Sequence, residues 1–200
     1  MPDVTLSYFD FPGGRGEDCR IALHIAGVPF TDDRVRGADW PQRKALTPYG
    51  ALPVITVDGR ALGQSNAILS FIGRQHELHP ADAWEAARHE AVMASIEDLR
   101  AQIDATSRGK EGDEKKAARE AFAAGPLLRW AADIEREVVG PFLGGDALQV
   151  ADLKLFVVMK WFTSGGLDHI SADCFSGFPK LVGHHAAARA HPGVTSWYAR

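Results

Sequence analysis

The sequence predicts an α/β plus all-α protein, with a small α/β domain followed by a bundle of helices. Three observations carry that prediction. Strand-like and helix-like runs alternate over residues 1–76. A favoured tight-turn pair, Asp58-Gly59, joins two β-rich runs. Beyond a polar linker over 77–83, in the stretch "ELHPADAWE", no convincing strand follows, and apolar residues recur at helical spacing through 84–200.

Taken in order, "VTLSYF" alternates and is rich in β-formers, so it reads as the first strand. In "EDCRIALHIA", Ile21 and Ile25 are four apart, as on one helix face, and Gly27 stops that helix. "PFTDDRV" is a more polar strand, suited to a sheet edge. Pro41 and Pro48 allow helix only in pieces across "ADWPQRKALTPYG". "LPVITVDGRALG" is the hairpin, and Ser65 is the expected N-cap of the helix "NAILSFIGRQH". The order is β-α-β-α-β-β-α.

In the second half, Val92, Ile96, Leu99 and Ile103 share one helical stripe; Leu127, Ala131, Ile134 and Val138 share another. "SRGKEGDEKK" between them reads as a solvated turn. "ADLKLFVVMKWF" is apolar on most sides, which predicts a central buried helix. "FPKLVGHHAAARAH" gives a further helix, and "PGVTSWYAR" a tail. About five helices are expected in this half.

With 200 residues, 46% hydrophobic and 24% charged, the chain has the composition of a globular protein. A net charge of −4 gives no electrostatic reason to expect nucleic acid or an anionic membrane as partner. No apolar run reaches spanning length, and "MPDVTLSYFD" lacks the basic start and apolar core of a signal peptide. A cytoplasmic location is expected. Cys19 and Cys174 form no framework and read as packing residues. His184 and His185 are adjacent, so they face different sides of a helix; no metal is expected.

The stretch "LSYFDFPGGRGED" admits three readings: a phosphate cradle, a plain β-α turn, or a loop that places Tyr8 and Arg15 at a reaction centre. It matches neither the P-loop pattern nor the G-x-G-x-x-G spacing. Glu17 and Asp18 suit a helix N-terminus but would repel a phosphate.

Several stretches together resemble the cytosolic glutathione transferases: "YFDFPGGRGEDCRIAL", "ADWPQRKALTPYGALPVITVDGRALGQSNAI", "LQVADLKLF" and "FPKLVGHHAAARAHPGV". The resemblance spans nearly the whole chain. It is strongest to the tyrosine-type, sigma-like class, which includes glutathione-dependent prostaglandin D synthases. It implies a thioredoxin-like domain that holds glutathione and a helical domain that shapes the electrophile pocket. The loop before Glu17 looks one residue longer than in most sigma members.

The resemblance implies roles for particular residues. Tyr8 would donate its hydroxyl to the glutathione sulfur, and Arg15 would supply positive potential and orient the phenol. A thiol of pKa about 8.5 is only about 3% ionised at neutral pH. Lowering it by about two units needs about 2.7 kcal/mol, within reach of one or two hydrogen bonds to the thiolate. Ala51, Leu52 and a cis Pro53 would present backbone to the cysteinyl unit. Gln64 and Ser65, at a helix start, would take the γ-glutamyl end. Trp40 and Lys44, four apart, would face the glycine end. Asp98, about 200° around its helix from Ile96, would reach the neighbouring subunit's glutathione in a homodimer. Glu97 competes for that role.

The electrophile pocket is expected between Phe11, Pro12 and Gly14 and the helix bearing Arg100, Asp104 and Ser107, with Trp197 and Tyr198 as cover. "LQVADLKLF" matches the family's helix-capping segment, but Gln149 stands where a Ser or Thr cap is usual. Glutathione is the expected co-substrate. Conjugation to soft electrophiles is the leading activity. Glutathione-dependent isomerisation, peroxide reduction and a non-catalytic binder remain open, and a thiol–disulfide oxidoreductase lacks its cysteine pair.

Overall fold

The computed structural model describes residues 2–200. Strands β1 (Val4–Phe9), β2 (Thr31–Val35), β3 (Val54–Val57) and β4 (Arg60–Gly63) form one sheet in the order β2-β1-β3-β4. β1 runs parallel to β2 and antiparallel to β3; β3 and β4 form the hairpin. Asp58 and Gly59 both have positive φ, 48° and 79°, as a two-residue primed turn requires. β2 lies at the edge, as its polar sequence suggests. Helix α1 (Gly14–Ile25) crosses between β1 and β2, and α3 (Ser65–Gln75) follows the hairpin. Between β2 and β3 the chain makes only α2 (Trp40–Lys44) flanked by two single 3₁₀ turns.

Six helices follow, not five: α4 (Ala83–Ser107), α5 (Gly112–Ala124), α6 (Pro126–Glu137), α7 (Val150–Thr163), α8 (Pro179–Ala190) and α9 (Pro192–Tyr198). The solvated turn expected over "SRGKEGDEKK" is shorter than read, since α5 begins at Gly112. That helix buries only Phe122, so it carries almost no apolar stripe for periodicity to detect. The tail closes as α9, anchored by buried Val194 and Trp197. The cap of α3 differs from the expectation, and that of α7 sits at Gln149 as read. Gln64, not Ser65, is the N-cap of α3, and Ser65 is its first helical residue. At α7, Asp152 accepts the Gln149 N–H at 2.8 Å and also the Leu143 N–H at 2.8 Å, and meets His184 Nε2 at 2.9 Å. The start of α7 is therefore tied down without a hydroxyl cap.

α7 is the centre of the molecule. Every residue from Val150 to Met159 is buried, and the helix packs on α1, α4 and α8. One hydrophobic cluster runs from Leu6 and Ile55 of the sheet through Ile21 and Ile68 to Ile96, Phe156 and Leu181. Fully burying each large apolar side chain contributes about 1.5–3 kcal/mol, so the two halves are joined by a continuous core. No helix is long and apolar enough to cross a membrane.

Candidate active site

The opening loop seats Tyr8 against the first turn of α1. The Arg15 N–H donates to Tyr8 Oη at 3.0 Å, which leaves the hydroxyl hydrogen free to donate elsewhere. The glycines make this approach possible. A Cβ at Gly16 would lie 2.1 Å from Tyr8 Cγ, and one at Gly14, whose φ is +67°, would lie 2.5 Å from the hydroxyl. Arg20, fully buried, donates to the Phe9 and Phe11 carbonyls at 3.4 Å each, and pairs with Asp32 at 2.9 Å. The loop thus rests on a fixed cation. Burial pushes the Tyr8 phenol above its ordinary pKa, so it stays protonated at neutral pH.

Arg15 also turns its guanidinium to Glu97, with Nε 2.5 Å from Oε2. Glu97 is the hub of a buried polar cluster that sequence reading missed. Lys154 Nζ, fully buried on α7, lies 2.6 Å from Glu97 Oε1, 3.0 Å from Ser65 Oγ and 3.8 Å from Asp18 Oδ2. Arg100 Nη1 stands 3.6 Å from the same Glu97 oxygen. Burial opposes ionisation of Glu97, but Lys154, Arg100 and Arg15 outweigh it and hold the carboxyl below its usual range. Asp18 goes the other way: burial raises it despite Lys154 and Arg100. The one visible signal was a lone charge, Lys154, within the apolar run "ADLKLF". Glu97 turns toward Arg15 and Lys154, whereas its neighbour Asp98 is exposed.

A cavity of about 440 Å³ opens in front of Tyr8. Phe11, Pro12, Gly14 and Arg15 border it on the loop side, and Arg100 and Asp104 on α4. Ser107 does not line it: its hydroxyl bonds the Ile103 carbonyl and accepts from Arg119 at 3.0 Å. α7 and its C-cap supply a wall not anticipated from the sequence: Val157, Lys160 and Trp161, then Ser164. Tyr198 closes one side, whereas Trp197 turns inward and donates to Glu17 Oε1 at 2.9 Å.

The residues expected to hold glutathione lie outside this cavity. Trp40 sets its ring edge-on to Phe9, with centroids 5.3 Å apart, and Lys44 is exposed at the end of α2. Leu52–Pro53 is cis, immediately before β3; Ala51 is exposed and Pro53 buried. Gln64 is exposed with φ 71°, a left-handed conformation unusual for a residue with a side chain, at the very start of α3. Ser65, beside it, accepts from Lys154, so its own hydroxyl hydrogen is free. A hydrogen-bonded and ionic path therefore runs from the start of α3 through Lys154, Glu97 and Arg15 to Tyr8. Cys19 is fully buried with its thiol raised well above its usual value by that burial, which suits packing rather than redox chemistry. Among the described residues no group of three or more His, Cys, Asp or Glu is placed to hold a metal.

Family models for the glutathione S-transferase N-terminal domain match residues 16–75 and for its C-terminal domain residues 97–200. The chain belongs to the glutathione S-transferase family. It is 32% identical to glutathione S-transferase 1 of Ascaris suum, over all of this chain and 97% of that one. It is 28% identical to the hematopoietic prostaglandin D synthase of Gallus gallus, over 98% of this chain and 96% of that one. Among solved structures, prostaglandin synthase D of Nilaparvata lugens superposes with TM-score 0.88 at 25% identity, covering 100% of this chain and 98% of that chain. The fold is that of the family: a four-stranded sheet with helices, then a helical domain. The family uses glutathione as co-substrate.

Proposed function

We propose that this glutathione S-transferase ionises the glutathione thiol at Tyr8 and adds it to soft electrophiles held in the adjoining cavity. The observation that carries this is the Arg15 N–H donating to Tyr8 Oη at 3.0 Å. With its oxygen already occupied as acceptor, the neutral phenol is set to donate to a thiolate. Such a bond to a charged group contributes about 1.5–3 kcal/mol. Arg15 and Arg100, both bordering the cavity, add positive potential where the sulfur would sit. In the transfer step the S–C bond forms, the leaving group departs with its electron pair, and the thiol proton passes to solvent.

Glutathione would lie along the α/β domain outside the cavity. Leu52 would meet its cysteinyl backbone, and the start of α3, with Gln64 and the free Ser65 hydroxyl hydrogen, its γ-glutamyl carboxylate. Trp40 and Lys44 would meet its glycine end. Asp98, exposed on α4, would serve the neighbouring active site in a homodimer. Turnover of chlorodinitrobenzene with glutathione tests the conjugation reading. Wild type is expected to be active and Asp98→Ala to show a raised KM for glutathione with an unchanged dimer in sedimentation. An inactive wild type that still binds glutathione would contradict it.

The likeness to prostaglandin D synthases supports a second reading, isomerisation through the same thiolate. It is distinguished by stoichiometry: conjugation consumes glutathione, whereas isomerisation returns it.

A further inference from the structure

The cavity wall contributed by α7 has a composition that conjugation alone does not require. Val157, Lys160, Trp161 and Ser164 border the cavity at positions i, i+3, i+4 and i+7, so a single helix face is turned toward the second substrate. Three of the charged residues around the cavity are cations, Arg15, Arg100 and Lys160, against one carboxylate, Asp104. Arg15 and Arg100 both lean on Glu97. Lys160 makes no ion pair among the described residues; its ammonium lies 3.8 Å from the centroid of the Tyr198 ring, and Glu17 acts on it only at longer range.

Glutathione does not account for this lysine. Its two carboxylates are assigned to Lys44 and to the start of α3, both outside the cavity, and its sulfur to Tyr8. We infer that the second substrate carries an anionic group, a carboxylate, at the end remote from its reacting carbon, and that Lys160 is the residue that recognises it. Phe11, Val157 and Trp161 would cover the apolar body of such a molecule. Lys160 thereby sets specificity and takes no part in activating sulfur. The inference rests on the conjugation reading for the orientation of the substrate, with the electrophilic carbon toward Tyr8.

The test compares two aryl chlorides that differ only at the remote end: 4-chloro-3-nitrobenzoate and 4-chloro-3-nitrobenzamide. In each, the thiolate sulfur bonds the ring carbon and chloride leaves with the electron pair. Dividing kcat/KM by the uncatalysed rate removes the difference in ring activation. The wild type is expected to favour the carboxylate by about tenfold, the worth of one charge-assisted contact. Lys160→Met should bring that ratio close to one, and Lys160→Arg should retain most of it. A wild-type ratio near one, or a preference that survives Lys160→Met, would overturn the inference. If neither chloride reacts, the conjugation reading fails by itself. Calorimetric affinities for the two finished glutathione conjugates then decide the inference: the same preference, lost in Lys160→Met, supports it, and equal affinities overturn it.

Discussion

On the α/β side of the cavity Tyr8 lies so close to α1 that no Cβ fits at Gly16, while on the helical side Asp104 and Ser164 stand in solvent and Tyr198 is 39% exposed. The first wall is held by the main chain and by buried charge: the Arg15 N–H on the phenol, and Arg20 on the Phe9 and Phe11 carbonyls. The second is made of side chains from α4, the end of α7 and α9, and is more open to solvent. The contrast separates two tasks. Lowering a thiol pKa needs a donor fixed to a fraction of an ångström. Choosing among electrophiles needs side chains that can change without unfolding the protein. The Lys154 cluster joins the two walls, since α7 delivers the lysine to Ser65, Asp18 and Glu97 on three other helices.

That join is where the comparison is easiest to break. Lys154→Met leaves Glu97 and Asp18 without their buried cation. It is expected to cost about 3–5 kcal/mol of stability, read as a large drop in denaturant midpoint, and to raise KM for glutathione through loss of the Ser65 contact. An unchanged midpoint would show that the cluster contributes nothing to the seam between the halves.

The helical half has its own pH dependence, centred on His185 of α8. Burial, with smaller effects from His184, Arg189 and Lys160, moves His185 from 6.5 down to about 4. Between those values the unfolded chain binds the proton that the folded one refuses. Stability is therefore complete above pH about 6.5 and falls as the pH drops toward about 4. Denaturant melts across that range should show the slope, and His185→Gln should flatten it. Glu97 acts in the same sense at lower pH, below its usual range, because its folded pKa is depressed.

Gly16→Ala tests the rigid wall directly. The added methyl must displace the Tyr8 ring, at a cost of about 1–3 kcal/mol and on the order of a hundredfold in turnover. Full activity would show that Tyr8 needs no exact seat. The smallest effect is expected on the other wall. Asp104→Asn should leave stability within about 0.5 kcal/mol, while altering KM for the electrophile more than KM for glutathione.

The same asymmetry governs how much was legible in the sequence. The α/β half reads well because its elements are short, punctuated by Gly27, Pro41, Pro48 and Asp58-Gly59, and its strands alternate. The strand end at Tyr8 is legible, but the loop alone left a plain turn open, and the roles given to Tyr8 and Arg15 came from the family resemblance. The helical half gives less. α7 is buried all round, so nothing in its pattern marks the face that lines the cavity. α5 buries too little to register. Glu97 and Asp98 are neighbours, and only the roll of α4 decides which turns inward. Ser107 is one turn beyond Asp104 on the same helix, yet its hydroxyl is taken up by the Ile103 carbonyl and Arg119. Three-body contacts such as Lys154 with Ser65 and Glu97 join positions far apart in sequence, and no local pattern encodes them.

The mechanism turns on whether a neutral Tyr8 stabilises the thiolate. The most direct measurement is an ultraviolet difference titration of bound glutathione, wild type against Tyr8→Phe, following the thiolate band across pH. The account predicts a bound thiol pKa about two units below 8.5 in the wild type, returning toward that value in Tyr8→Phe while glutathione affinity changes little. The same depressed pKa in both proteins would contradict it and move the activation of sulfur to Arg15 and its neighbours.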